Sequence, residues 1–119
     1  MKRDFELIRS ILIFFEEKES TEPVGLPPID GYSEAPVREH LILLDEAGLL
    51  RCERVFSKNG RVIYVIPFDL TWDGHEFLHK IRNDALWQKI KDTIGRGGLS
   101  LGFEVVSRVA TKLVLSQVS

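Results

Sequence analysis

Residues 33 to 68 constrain this chain more than any other stretch. Ser33 is placed to cap a helix running to Ala47, and Pro36 falls in its first turn, where proline is tolerated. Val37, Leu41 and Leu44 form its buried line, with Leu43 or Ala47 at the margin. Gly48 then supplies the left-handed residue that ends the helix. Two runs rich in branched and aromatic residues follow, Leu49 to Ser57 and Arg61 to Phe68. Between them Asn59-Gly60 predicts a type I′ turn within Lys58-Asn59-Gly60-Arg61. A helix, a Gly-Leu-Leu stop and a β-hairpin in that order put the chain in the α+β class.

The flanks are consistent with this. From Asp4, a natural N-cap, to about Lys18, the residues Phe5, Ile8, Ile11, Leu12 and Phe15 make one wide apolar stripe. Residues 21 to 31 (TEPVGLPPIDG) are too rich in proline and glycine for a helix. An extended piece around Val24 to Leu26 is expected to pair with the hairpin as a short edge strand. Thr71 caps a further helix with Phe77, Leu78, Ile81 and Ala85 on its core side. Past Asp84 the stripe moves to Leu86, Trp87, Ile90 and Ile94, so the helix either bends near Asn83 or shows a second face to another neighbour. Gly95-Arg96-Gly97-Gly98 is expected to end it. The tail from Leu99 to Val118 carries Phe103, Val106, Ala110 and Leu113 at helical spacing, with a strand as the alternative its valines leave open. A chain of 119 residues is most economically one domain, with a core over 4–82 and a C-terminal helical extension over 83–119.

Charge says more by its distribution than by its sum. The net charge of −2 argues against an indiscriminate nucleic-acid binder. Residues 20 to 48 hold Glu22, Asp30, Glu34, Glu39, Asp45 and Glu46 against Arg38, whereas residues 49 to 71 hold Arg51, Arg54, Lys58 and Arg61 against Glu53 and Asp69. The hairpin is basic and the helix before it acidic. A single cysteine, Cys52, excludes an intrachain disulfide and fits a reducing compartment. It alternates with Arg51 and Glu53, which points it inward as a small hydrophobe. No secretory leader pattern opens the sequence, and no apolar run nears the ~18 residues a membrane span requires. The expectation is a cytoplasmic protein without a membrane partner.

These segments resemble a known architecture. VREHLILLDEAGLL, Val37 to Leu50, resembles the second helix of winged helix-turn-helix proteins of the MarR and PadR type. The hairpin that follows would be the wing, and Leu70 to Leu78 (LTWDGHEFL) is similar to the LTxxGxxFL segment leading out of it. The chain as a whole, from MKRDFELIRSIL onward, resembles a bacterial and prophage-borne family of unknown function. The resemblance implies a winged-helix core. By association it also implies binding of double-stranded DNA or of a protein partner, and homodimerisation through C-terminal helices.

One motif points elsewhere. His75-Glu76-Phe77-Leu78-His79 reads as H-E-x-x-H, in which two histidines one helical turn apart bind zinc and the glutamate polarises the metal-bound water. The extended form of the motif needs histidine at position 85, which is Ala85, and Glu104 is the only acid after Asp92. The motif begins right after Gly74, and the winged-helix register explains Gly74, Phe77 and Leu78 without a metal. The expectation is exposed histidines, no metal and no catalytic residues. Gly95-x-Gly-Gly lacks the strand and the lysine of a phosphate loop, so no cofactor is expected.

The function expected is therefore that of a small DNA-binding or transcription-associated protein, not an enzyme. The alternatives are a protein-interaction module on the same fold and, more distantly, a zinc-dependent hydrolase. Arg38 would reach the groove, while Arg54, Lys58, Asn59 and Arg61 would contact the nucleic acid from the hairpin. Trp87, Ile90, Ile94, Phe103 and Val106 would form the dimer interface.

Overall fold

The computed structural model describes residues 3–96 and 102–118. The order of elements is α1 (Phe5–Glu17), α2 (Glu34–Glu46), β1 (Leu50–Phe56), β2 (Val62–Leu70), α3 (Trp72–Ile81), α4 (Asp84–Arg96) and α5 (Phe103–Val118). The architecture is α+β, and β1 and β2 form one antiparallel hairpin. The chain divides into two compact units, residues 1–75 and 76–119. The division falls inside α3.

In the first unit α1 and α2 pack on each other and on the hairpin. Asp4 caps α1 as expected: its Oδ1 accepts the Glu6 and Leu7 amides at 3.0 and 3.2 Å. Phe5, Leu7, Ile8, Ile11, Leu12 and Phe15 are buried below it. Ser33 holds the N-cap position of α2 with an extended backbone, but its hydroxyl makes no cap hydrogen bond. The third helical residue is Pro36, which has no amide to donate, so one of the two usual cap donors is missing. The other end of α2 closes as a Schellman motif. Gly48 lies at φ +76°, its amide donates to the Asp45 carbonyl at 3.0 Å, and the Leu49 amide donates to the Leu44 carbonyl at 2.9 Å.

The hairpin turn corrects the expected type I′ geometry. A type I′ turn needs positive φ at both central residues, and only Gly60 (φ +79°) has it. The Gly60 amide donates to the Ser57 carbonyl at 3.0 Å and the Ser57 amide to the Arg61 carbonyl at 2.8 Å. This is a three-residue loop, Lys58-Asn59-Gly60, in which a type I turn ends on a left-handed glycine. Two register shifts interrupt the ladder, between Arg51 and Cys52 and between Val55 and Phe56. The expected edge pairing of Val24 to Leu26 reduces to one hydrogen bond, from the Val24 amide to the Pro67 carbonyl at 2.9 Å. No third strand joins the sheet among the described residues.

In the second unit α4 packs on α5. The expected change of direction near Asn83 is a complete helix break: the Asn83 Oδ1 accepts the Leu86 amide at 2.9 Å and starts α4 afresh. Helix α4 runs to Arg96, inside the Gly95-Arg96-Gly97-Gly98 stretch expected to end it, and Gly97 and Gly98 lie outside the described residues. The tail is helical, with Val106 and Ala110 buried.

Candidate nucleic-acid interface

The hairpin carries most of the cationic candidates, but they are not equivalent. Arg54 reaches from β1 to α2, where its Nε donates to the Asp45 Oδ2 at 2.6 Å. That hydrogen bond and the Asp45 charge hold the Arg54 guanidinium above its ordinary range. Arg51 faces Asp69 across the ladder at 3.6 Å. Arg38 lies 3.9 Å from Glu34 one turn earlier on α2. Lys58 and Arg61, on either side of the exposed Asn59-Gly60 pair, have no ion pair among the described residues. Of the five residues expected to touch nucleic acid, Lys58, Asn59 and Arg61 are clustered at the tip. Arg54 is tied to α2, and Arg38 sits on a helix face that also exposes Glu34, Glu39 and Glu46.

The tip also holds large apolar side chains in solvent, which the sequence reading missed. Phe56 is 55% exposed, Ile63 53% and Tyr64 42%. Tyr64 pairs with Val55 and Phe56 with Val62, so Ile63 is the extra residue of the bulge. Cross-strand partners share a face. The Val55 pair therefore sets Tyr64 on the face opposite the buried Val65, whose partner is Arg54.

Behind the hairpin, a polar chain fixes the unit. The Tyr32 hydroxyl donates to the Asp4 Oδ2 at 2.8 Å, and the Asp4 amide donates to the His40 Nε2 at 2.9 Å. The His40 Nδ1 is 2.7 Å from the Pro36 carbonyl. A carbonyl only accepts, so Nδ1 carries the proton and Nε2 accepts, and both nitrogens are satisfied in the neutral ring. Burial first, then the Asp4 hydrogen bond, raises the Tyr32 phenol above its ordinary range. His40, 2% exposed, occupies the stripe of α2 between Val37 and Leu41, and that position was the available signal for it. Cys52 is half-buried on β1. Burial first, then the Asp45 charge, pushes its thiol up to about 12 against the opposing effect of Arg54.

His75 and His79 are both exposed on α3. Among the described residues no group of three or more His, Cys, Asp or Glu side chains is arranged to hold a metal. Trp87, Ile90, Ile94 and Val106 are buried within the single chain. The Phe103 side chain lies outside the described residues.

The fold and the hairpin define a small α+β protein with a cationic, partly apolar β-hairpin tip. The family described as "Hypothetical protein (DUF2513)" matches residues 2–100, and the chain belongs to it. A Haemophilus influenzae protein described as "Uncharacterized protein" is 37% identical over 115 residues, covering 96% of each chain. No solved structure matches the chain. No helix among the described residues is long and apolar enough to cross a membrane.

Proposed function

We propose that this protein is a non-enzymatic winged-helix protein that binds DNA, with the hairpin as its wing. The observation that carries the reading is the pair of exposed cations at the hairpin tip, Lys58 and Arg61, which no acid neutralises among the described residues. Such cations release counterions from a phosphate backbone, and that release drives association. In this reading α2 covers the core and does not read bases, because Glu34, Glu39 and Glu46 on its exposed face repel phosphate.

A fluorescence-anisotropy titration of labelled DNA at several ionic strengths tests the proposal. Binding that weakens with salt, and weakens further in the Lys58→Gln/Arg61→Gln variant, is expected. Absence of salt-sensitive binding to any nucleic acid would sink it. The non-enzymatic part falls if untagged protein carries one zinc per chain that is lost in His75→Ala and His79→Ala.

A second reading, a protein-interaction module, is favoured by the same acidic face of α2, which suits a basic partner. Glu39→Lys with Glu46→Lys separates the two. It strengthens DNA binding if that face only repels phosphate, and leaves DNA binding unchanged while abolishing partner capture if the face is the interface.

A further inference from the structure

We propose that the hairpin tip recognises single-stranded nucleic acid, with the Phe56 and Tyr64 rings stacking on unpaired bases while Lys58 and Arg61 hold the phosphates. The inference rests on the wing reading and specifies its ligand. The first observation is exposure: Phe56 and Tyr64 stand in solvent on successive rungs of the ladder, with the unpaired and exposed Ile63 of the bulge between those rungs, next to the loop that carries both cations. Three large apolar side chains at the end of a two-stranded hairpin are not needed to close the core, which is complete at Val65 and Leu70.

The second observation is their chemistry. An aromatic ring beside a cation matches a nucleotide, whose base offers a π-face and whose phosphate offers a charge. An intact duplex hides its base faces in the stack and leaves such rings nothing to bind. A single strand exposes every base face. The acidic face of α2 adds to this preference, since docking a helix in the major groove would bring Glu34, Glu39 and Glu46 toward two phosphate backbones. A strand held only at the hairpin tip avoids them. Stacking and phosphate contact make no use of the 2′-hydroxyl, so DNA and RNA strands share the chemistry, and direct comparison separates them.

The experiment uses the full chain with fluorescein-labelled dT20 and rU20 and, as competitors, unlabelled dT20 and a 20-base-pair duplex of mixed sequence, each at several salt concentrations. Unlabelled strand is expected to displace the probe at a concentration at least tenfold below that of the duplex. The tighter of the dT20 and rU20 complexes identifies the natural strand type. Phe56→Leu and Tyr64→Leu keep an apolar side chain but remove the ring. Each is expected to weaken strand binding by about 5- to 100-fold while leaving the far-UV circular dichroism unchanged. Lys58→Gln/Arg61→Gln is expected to reduce the slope of log affinity against log salt by about 1.4. A duplex that competes as well as the strand, or leucine variants that bind like the parent, overturns this inference and leaves DNA binding by the wing standing. Absence of binding to both strand and duplex overturns the two together.

Discussion

Gly74→Ala sets two well-known effects against each other. Gly74 lies inside α3, where replacing glycine by alanine ordinarily gains about 1 kcal/mol of helix propensity. A Cβ on Gly74, however, would sit 2.1 Å from the Leu49 carbonyl oxygen and 3.0 Å from its carbon. Both atoms are backbone, so no rotamer change relieves the overlap. The carbonyl is also held in place: it accepts the Thr71 amide at 3.1 Å. The Thr71 hydroxyl donates to the Gly48 carbonyl at 2.6 Å and accepts the Gly74 amide at 3.0 Å. Admitting the methyl means moving the start of α3 by about an ångström and stretching these bonds, at roughly 1 kcal/mol for each one lost and 1–3 kcal/mol for overpacking. The clash wins, and Gly74→Ala is expected to destabilise the protein by about 2 kcal/mol. With m in the usual range of about 1–3 kcal/mol/M, the urea midpoint should fall by roughly 1 M. Gly95→Ala is the internal control, because a Cβ there meets nothing within 4 Å and should gain stability, up to about 1 kcal/mol. Urea titrations followed by circular dichroism at 222 nm decide the matter. A Gly74→Ala midpoint at or above the parent's, with m unchanged, refutes the close approach of α3 to Leu49.

Three further outcomes follow from local geometry. His40→Leu keeps the buried volume but leaves the Asp4 amide without its acceptor, so urea unfolding should show a loss of about 1–3 kcal/mol. Asn83→Ala removes the cap of α4 and should cost about 1 kcal/mol, read from the fluorescence of the buried Trp87 in a Trp72→Phe background. The Cys52 thiol, at about 12 when folded against 9.0 unperturbed, should hold roughly a thousandfold less thiolate at pH 8 than in the unfolded chain and so react more slowly with a disulfide reagent. Its stabilising effect is fully present below pH 9 and is lost as pH rises toward 12. Asp45→Asn removes the charge that raises this thiol and should speed the reaction, and an unchanged rate would contradict that assignment.

What could be read from the sequence was whatever depended on local chemistry. The Asp4 cap, the Gly48 stop, the α1 stripe and the hairpin's position all follow from residues a few places apart, and each is present. Failures came where a distant or subtle constraint decided. Asn-Gly suggested a two-residue turn, but Ser57 accepts the Gly60 amide and Arg61 closes the loop one residue later. Ser33 looked like a hydrogen-bonding cap until Pro36 is counted as a donor removed. The exposed rings were hidden because period-two reasoning assumes an unbroken ladder, and a bulge at Ile63 breaks it at the tip. The Arg54 ion pair was not legible because its partner Asp45 stands on a different element.

The Arg54–Asp45 pair also makes the number of hairpins on a nucleic acid measurable. With Arg54 and Arg51 facing acids, one hairpin offers two phosphate-binding cations, Lys58 and Arg61. On a single strand each neutralised phosphate contributes about 0.7 to the slope of log affinity against log salt, so one hairpin gives about 1.4 and two engaged together about 2.8. Between 50 and 200 mM salt these slopes correspond to losses of about 7-fold and about 50-fold, which a titration separates easily. A slope near 1.4 means that each chain binds alone, in keeping with the burial of Trp87, Ile90, Ile94 and Val106 inside the single chain. A slope near 2.8 that falls to about zero in Lys58→Gln/Arg61→Gln means that two chains bind as a pair. Their contact must then use a surface other than those four side chains. A slope above 3 would require cations beyond Lys58 and Arg61 of two chains, and would extend the interface past the tip.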